Sequence, residues 1–429
     1  MEVQLWMAIP FALMLLLIAV APLLFPHFWE SNKNKLIATA VITVPAAIML
    51  IVLGLGHAVL HQVAFDYIPF IMLLLTLFVV TGGIHLKGDL TATPGINGGI
   101  LAMGYLLASL MGTTGAAMLL IRFLLETNRQ RKYRTHTVLF FIAMVANCGG
   151  ILTPLGDPPL FLLYLRGAPF LWFTHLFPQW LVTGLILLAL YNRIDRYYYK
   201  KEPLANKKRD LQEISPIRFK GKINFLYLAI IILSVMFINE GYIPAMKGGV
   251  LRFLREFIFA AVILLSLKTT SSTIRQLNNF SWEPILEVAI LFIGIFVTMT
   301  PAMIYLNVHA SSLGIDQPWE FFYATGLLSS FLDNSPTAVA FYEVATGIAP
   351  VDGAATVAGI SPVILEAISL GAVLFGSLTY IGNGPNFMVK AIAEQEGVEM
   401  PSFFAYMAKF SLCILLPVFI IVQLIFIGF

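Results

Sequence analysis

Long runs of apolar residues, separated by short polar turns, set the pattern of this chain. Near the N-terminus the runs cover residues 7–24, 36–60 and 67–84. A helix needs roughly 20 apolar residues to cross the hydrocarbon core of a bilayer. Each run therefore predicts an uninterrupted membrane-spanning helix, and the same pattern predicts further spans at residues 171–191, 223–239, 253–267, 284–306 and 403–426.

Two other apolar runs are interrupted near their middle by small and polar residues. Residues 99–125 contain GTTG at 112–115, and residues 319–345 contain DNSPT at 333–337. Irregular backbone at membrane depth is tolerated only where protein or a water-filled cavity surrounds it. Such interruptions favour a re-entrant hairpin, which enters and leaves the bilayer on one side, over a straight span.

Residues 137–165 and 361–389 are long enough to cross a membrane, but each contains a longer interruption. The first interruption, residues 147–159, holds three prolines and three glycines. A continuous helix is excluded there because proline lacks an amide hydrogen and glycine weakens a helix interior. Both segments therefore predict discontinuous helices, and the second is broken at residues 376–386.

The two long interruptions also match each other residue by residue. Six identical pairs share one offset of 226 positions, namely Gly150 and Gly376, Leu152 and Leu378, Thr153 and Thr379, Gly156 and Gly382, Pro159 and Pro385, and Phe161 and Phe387. The order of the spans around the two interruptions matches as well. We therefore interpret the chain as an internal duplication.

Composition indicates the class of protein, and the distribution of charge indicates its orientation in the membrane. Hydrophobic residues make up 59% of the chain and charged residues only 11%, a balance that excludes a water-soluble globular protein. Residues 193–222 carry ten of the 26 lysine and arginine residues. The positive-inside rule places this segment in the cytoplasm. With five spans and one hairpin in each half, the second half is inverted relative to the first, because five is odd.

The predicted fold is an all-α polytopic membrane protein built as an inverted repeat, with one discontinuous helix in each half. The first repeat covers residues 1–192 and the second covers residues 223–429. Residues 193–222 form a basic cytoplasmic linker between them. Each repeat contains the hairpin and the broken helix described above. We expect an integral, multi-pass protein of a bacterial inner membrane.

In inverted-repeat transporters the substrate binds near the middle of the membrane, where hairpin tips and unwound helices meet. The oxygen atoms and freed carbonyl groups there suit a hard cation such as sodium, whereas half-helix N-termini suit an anion. Asn147, Ser335 and Ser377 are equally compatible with bonds to neighbouring backbone alone. The candidate substrate- and ion-binding residues are Thr113, Thr114, Asn147, Thr153, Asp157, Asp333, Asn334, Ser335, Thr337, Ser377, Thr379, Asn383 and Asn386.

The aspartates Asp157 and Asp333 are the leading candidates, because each half contributes one. An ionised carboxylate in the middle of a bilayer costs at least roughly 2.5 kcal/mol, so it must be paired with a cation, exposed to water or protonated. A carboxylate that alternates between sodium and a proton is the minimal requirement of an antiporter. Glu287 and Glu366 are further candidate proton carriers.

Taken in order, the four interruptions resemble those of the ion transporter superfamily, and most closely NhaD-type sodium/proton antiporters and the citrate-transporter-like proteins. The resemblance implies a scaffold domain built from the early spans of each half and a transport domain built from the hairpins and broken helices. It also implies a homodimer that moves its substrate by an elevator-like shift. The matching sequences are GTTGA at 112–116, GGILTPLGDPP at 149–159, LDNSP at 332–336 and SLTYIGNGPN at 377–386.

One departure from the family pattern bears on the substrate. In the dicarboxylate branch the hairpin tips resemble Ser-Asn-Thr and hold sodium together with a substrate carboxylate. Here GTT at 112–114 and DNS at 333–335 take those places. Two aspartates at the site would repel a di- or tricarboxylate. The departure therefore favours a cation as the sole substrate.

We therefore expect a sodium/proton antiporter that transports sodium and has no cofactor. Asp157 and Asp333 would bind sodium from one side and exchange it for protons on the other, with help from Thr153, Asn334, Thr379 and Asn383. Sodium- or proton-coupled transport of citrate or a dicarboxylate is the alternative. The expected partners are membrane lipid, a small ion and a second copy of the chain, and not nucleic acid.

An intramembrane aspartyl protease is the alternative from a different class. The sequence LGD at 155–157, with a distant second aspartate, resembles the two-carboxylate arrangement of those enzymes. The fuller Gly-x-Gly-Asp pattern fails at Pro154, however, and a protease has no use for an inverted repeat. Enzymatic activity is therefore not expected.

Overall fold

The computed structural model describes residues 3–247, 250–348 and 355–428, and most of them are helical. The prediction of an all-α, multi-pass membrane protein is confirmed at this level. Ile223–Phe237 and Pro362–Leu378 are shorter apolar helical stretches. Eight stretches within the described part are long and apolar enough to cross a membrane, and they are Leu5–Pro22, Asn32–Val52, Gly56–Thr81, Pro94–Met111, Thr135–Leu152, Phe170–Lys201, Glu283–Val308 and Phe403–Phe426.

The first group of helices extends from near the N-terminus to Lys201, inside the basic segment at residues 193–222. In chain order they are α1 (Ile9–Leu24), α2 (Pro26–Trp29), α3 (Asn32–Val52), α4 (Gly56–Gln62), α5 (Ile68–Thr81), α6 (Pro94–Met111), α7 (Thr113–Thr127), α8 (Thr135–Met144), α9 (Pro158–Leu165) and α10 (Phe177–Lys201).

The second group of helices lies between Leu204 and Phe426. They are α11 (Leu204–Gln212), α12 (Ile223–Phe237), α13 (Leu254–Thr269), α14 (Ser272–Leu277), α15 (Glu283–Val308), α16 (Pro318–Phe331), α17 (Asn334–Thr346), α18 (Pro362–Phe375), α19 (Gly384–Gln395), α20 (Phe403–Tyr406) and α21 (Leu416–Phe426).

The boundary predicted between the second and third spans is wrong. The second span, expected at residues 36–60, stops at Val52. The chain turns at Gly54, whose φ of 78° lies in the left-handed region that favours glycine. The third span, expected to begin at residue 67, begins at Gly56 and passes through Asp66. The carboxylate of Asp66 lies 3.3 Å from the Arg166 guanidinium, so the helix accommodates the charge as an ion pair.

A two-stranded antiparallel ribbon is the other feature that the apolar pattern did not predict. Strand β1 (His85–Asp89) pairs with β2 (Ser215–Lys220), with His85 opposite Lys220. The segment predicted as a linker from residue 193 begins as the last turns of α10 and continues through α11 into β2. The basic segment is therefore tied to the start of α6 instead of lying free of the bundle.

The packing of the helices brings the two parts of the chain together at their breaks. Helix α15 packs against α1, α3 and α5, while α16 packs against α18. Two of the contacts between the parts involve the hairpins, since α7 of the first hairpin packs against α19, and α17 of the second hairpin packs against α9. The second arm of each hairpin therefore contacts the broken helix of the other part, which places all four interruptions in one region.

Helices α16 and α18 approach each other closely at glycine positions. A Cβ atom on Gly371 would lie 2.5 Å from the backbone carbonyl oxygen of Phe322, and one on Gly326 would lie 2.5 Å from the ring of Phe375. A backbone oxygen cannot move aside as the end of a flexible side chain can. This pair of helices therefore requires glycine at residue 371.

We expect Gly371→Ala to destabilise the protein by about 1–3 kcal/mol, because the new methyl group overpacks the α16–α18 contact. Gly99→Ala in α6 is the matched control, since no atom lies within 4 Å of its Cβ position. Alanine there should be neutral or stabilising, by up to about 1 kcal/mol, through helix propensity. Thermal unfolding midpoints of both variants in one detergent provide the measurement, and equal shifts would contradict the assigned contact.

Candidate ion-binding site

Four helices begin around the same point inside the protein. Two of them, α7 and α17, are the second arms of the hairpins, and the other two, α9 and α19, are the second halves of the broken helices. The chain reaches the start of α7 through Gly112, whose φ of 81° favours glycine. Because a helix N-terminus carries a partial positive charge, four such ends create a field that stabilises a negative charge between them.

The carboxylate of Asp157 lies where these four helix ends meet, and the side chain is only 1% exposed. Its Oδ1 atom accepts hydrogen bonds from Thr113 Oγ1 at 2.8 Å and from Asn383 Nδ2 at 3.1 Å. Its Oδ2 atom accepts one from Asn334 Nδ2 at 2.6 Å. The donors are the first residues of α7 and α17 and the residue that precedes α19, so three of the four elements supply a donor, and Asp157 itself precedes the fourth, α9.

Three asparagines extend the network to the second broken helix. Asn147 donates from Nδ2 to Asn386 Oδ1 at 2.6 Å, and its own oxygen accepts from Asn383 Nδ2 at 3.2 Å. The Asn386 amide donates to the backbone oxygens of Gly376 and Thr379, at 2.8 and 2.9 Å. Asn386 therefore stabilises the interruption itself, while Asn383 connects that interruption to Asp157.

Thr153 and Thr379 hold the interruptions against the hairpins in the same way. Thr153 Oγ1 donates to the backbone oxygen of Ser109, and Thr379 Oγ1 donates to that of Ser330. The hydroxyl of Ser109 in turn donates to the backbone oxygen of residue 149, and that of Ser330 lies 3.0 Å from the backbone oxygen of Gly326 and 3.2 Å from that of residue 375. In the structure both threonines, which the sequence analysis placed among the candidate ion-binding residues, donate to backbone oxygens.

Ser109 and Ser330 were missed by the sequence analysis. Each lies three residues before the start of a hairpin tip, at Gly112 and Asp333, and that common spacing was the available signal. Serines inside transmembrane helices usually bond their own backbone, which is why they attracted no attention. Here the hydroxyl of Ser109 crosses to residue 149 and helps to position the interruption that carries Asp157, while that of Ser330 lies between its own helix and residue 375 of the second interruption.

Asp333 has a different environment from Asp157. It is the N-cap residue of α17, and its Oδ1 atom accepts the backbone N–H of Ser335 at 2.9 Å. This is the bond by which aspartate commonly caps a helix. Asp157 also precedes a helix, yet its side chain makes no cap bond to α9. The carboxylate of Asp333 is near enough to repel that of Asp157, but the two share no hydrogen bond among the described residues.

The remaining candidate ion-binding residues form two groups, those beside the Asp157 network and those that bond local backbone. Thr114 lines a cavity beside Asp157, and Ser335 donates to the side-chain oxygen of Asn334 at 3.3 Å. Two others bond only local backbone, since Thr337 donates to the Asp333 carbonyl and Ser377 to that of Leu374.

The two candidate proton carriers both have partners outside the network. Glu287 forms an ion pair with the buried Lys35 at 2.8 Å. Glu366 accepts a hydrogen bond from Gln179 at 2.5 Å. Neither glutamate bonds to any member of the Asp157 network in the described part of the chain.

A small cavity reaches Asp157 from the side of α5 and α15. Its volume is about 90 Å³, and its walls come from the first hairpin tip, the interruption before α9, the middle of α5 and the first turns of α15. A water molecule takes about 30 Å³ of liquid volume, so the cavity matches a few waters or a partly hydrated ion. Most of its walls are apolar, and Asp157, Thr113 and Thr114 provide its polar side chains.

Comparison with protein families shows to which family the chain belongs. A family model described as "Putative citrate transport" matches residues 1–427. The chain belongs to this citrate-transport family. None of the curated proteins compared with the chain matches it. The family lies within the ion transporter superfamily, so the resemblance identified from the four interruptions is confirmed.

The geometry of this citrate-transport family member also bears on the protease alternative. In an aspartyl protease the two carboxylates share a proton, because like charges about 3 Å apart cannot both ionise. Here one aspartate is bonded to two amides and a hydroxyl, and the other caps a helix, so the two carboxylates are not arranged as a pair that shares a proton.

The described residues contain no group of three or more His, Cys, Asp or Glu side chains that could hold a metal ion.

Because Asp333 caps α17, we expect Asp333→Ala to lower the stability of this citrate-transport protein by about 1 kcal/mol, whereas Asp333→Asn should retain most of it. Asparagine keeps an oxygen that accepts the Ser335 amide, and alanine does not. Thermal unfolding of both variants in one detergent tests the assignment. Equal destabilisation by the two substitutions would show that the charge of Asp333, and not its cap bond, is what matters.

Proposed function

We propose that this protein is a secondary active transporter in which Asp157 binds the transported or coupling cation. Sodium/proton antiport is the activity that the site supports best. The observation that carries the proposal is the environment of the Asp157 carboxylate, which is buried and receives three hydrogen bonds but no contact from a lysine, arginine or histidine in the described residues. A bound cation would therefore balance a charge that no basic side chain of the described residues balances.

The charge balance favours a small cation over a carboxylate as the first occupant. The four helix N-termini stabilise the negative charge of Asp157, but the partial charge of each end acts only within about one turn of its helix. A second anion beside an ionised Asp157 would be repelled in a region of low dielectric constant. A proton or sodium removes the repulsion, and Asn334 and Asn383 supply amide oxygens that would face a cation if their amide groups rotated.

The proposal includes an inverted repeat with one hairpin and one broken helix in each half. Its support is the pair of bonds made by Thr153 and Thr379, whose partners Ser109 and Ser330 follow the same pattern. Asp157 and Asn383 also correspond under the offset of 226, and both precede a helix in an extended conformation. A site at the junction of two such repeats can face either side of a membrane as the repeats move.

Asp157→Asn should abolish sodium-driven pH change in everted vesicles, because the amide keeps the size of the side chain but cannot bind a proton or balance a sodium ion. Asp333→Asn is the matched control, and it should retain most of the exchange since asparagine also caps a helix. Fluorescence of a pH-sensitive dye after addition of sodium is the measurement. Exchange at the normal rate in the Asp157→Asn variant would contradict the proposal.

Cation-coupled uptake of citrate or a dicarboxylate is the second candidate. The family description names citrate transport, and the N-termini of α7, α9, α17 and α19 provide amide groups of the kind that bind carboxylates. In this case Asp157 would carry the coupling cation, and the substrate carboxylate would lie beside the neutralised site.

Uptake of labelled citrate and succinate into proteoliposomes separates the two candidates. Under the second, an imposed sodium or proton gradient drives accumulation, and Asn383→Ala reduces it at least about tenfold because Asp157 loses a donor. Ser377→Ala is the control, since this serine is buried in the same interruption but donates to the carbonyl oxygen of Leu374 and not to Asp157. Sodium-driven proton movement without any uptake would favour antiport alone.

A further inference from the structure

A large groove lies between α10 and the segment Phe403–Leu415, and α8 contributes to its lining. We call it the α10 groove, and its volume is about 1250 Å³. Drug-sized molecules usually bind in cavities of roughly 300–1,000 Å³. The α10 groove is larger than that, and it takes no part in the Asp157 network.

Four cationic side chains surround the α10 groove. Arg193, Arg196 and Lys200 follow one another at intervals of three and four residues along α10, so they lie on one face of the helix. Lys409 faces them from the other wall. All four are exposed, and none forms an ion pair within the described residues. Glu399 is the acidic side chain among the lining residues, so positive charge predominates.

The deeper part of the groove is apolar. Leu139 and Phe140 of α8 form part of its lining, and Phe410 and Ile414 face them from the second wall. Ala189 lies eleven residues before Lys200 on α10, which corresponds to about 16 Å along the helix axis. The cations of α10 therefore occupy the last third of that helix, Lys409 lies beside Phe410 on the other wall, and the lining continues from Arg193 to Ala189 towards the middle of α10.

Both walls belong to helical stretches that are long and apolar enough to cross a membrane, Phe170–Lys201 and Phe403–Phe426. Large apolar side chains on the same stretches point outward, and Leu185 and Leu412 are 56% and 54% exposed. A surface of this kind is compatible with hydrocarbon and not with water. Both walls of the α10 groove therefore belong to stretches whose outer surface suits lipid, and the basic segment at residues 193–222 begins on one of them.

We propose that the α10 groove binds an anionic phospholipid of the leaflet on the side of residues 193–222. Arg193, Arg196, Lys200 and Lys409 contact its phosphate, and an acyl chain follows the apolar lining past Phe410 and Ile414. Basic pockets between transmembrane helices bind anionic lipid head groups by the same combination. A soluble anion would match only the charged end of the groove, whereas a phospholipid matches the charged end and the apolar part together.

The test uses the full chain, purified and delipidated in detergent. Phosphatidylglycerol should raise the unfolding temperature and add lipid masses in native mass spectrometry, and phosphatidylcholine should do neither. In Arg196→Gln/Lys409→Gln the phosphatidylglycerol concentration for half the effect should rise at least about tenfold. Lys33→Gln/Lys268→Gln is the matched control, because it removes two exposed lysines that lie outside the groove. An equal rise in both double variants would overturn the proposal.

A second variant separates a lipid from a free anion. Ala189→Phe fills part of the groove and leaves every cation in place, so it should weaken binding of phosphatidylglycerol as strongly as the charge variant does. Inorganic phosphate, added without lipid, should not stabilise the protein. Phosphate that stabilises the intact protein and the Ala189→Phe variant alike would identify a simple anion site and overturn the lipid proposal. This variant also decides the matter if the charge variant fails to fold.

Discussion

The constraint on which the structure depends is the burial of one carboxylate, Asp157, that has no basic side chain beside it in the part of the chain that the structure describes. A charge at this depth has to be balanced by dipoles, by donors or by an ion. Continuous helices cannot do this, because their amide groups are already bonded within the helix. The breaks in the helices place four N-termini and three side-chain donors around the same carboxylate.

That requirement also explains why the two parts of the chain interlock. Thr113 and Asp157 come from the first part, and Asn334 and Asn383 come from the second. They meet because the second arm of each hairpin packs against the broken helix of the other part. The exposed backbone of the breaks is satisfied in the same contacts, through the bonds that Thr153, Thr379 and their serine partners make. The candidate site and the core packing around it are therefore one set of interactions.

The sequence predicted the interruptions, the helices around them and the members of the Asp157 network, because proline, glycine and polar residues are conspicuous in apolar runs. It could not predict the direction in which a side chain points. Asp157 and Asp333 looked equivalent, and only the structure shows that one faces the centre while the other caps its own helix. The β1–β2 ribbon was missed for a related reason, since its strands pair across more than a hundred residues.

Because Asp157 lies at the centre of the candidate site, sodium/proton antiport and cation-coupled carboxylate uptake would share their first step. If the cargo is sodium, Asp157 binds it and then releases it in exchange for a proton. If the cargo is citrate or a dicarboxylate, the anion can approach only after Asp157 has taken up a proton or a sodium ion, since two adjacent negative charges in a dry site repel strongly. Both cycles therefore begin with the same neutralisation of Asp157. The candidates differ in whether an anion follows the cation, and that depends on the space beside Asp157, not on the carboxylate.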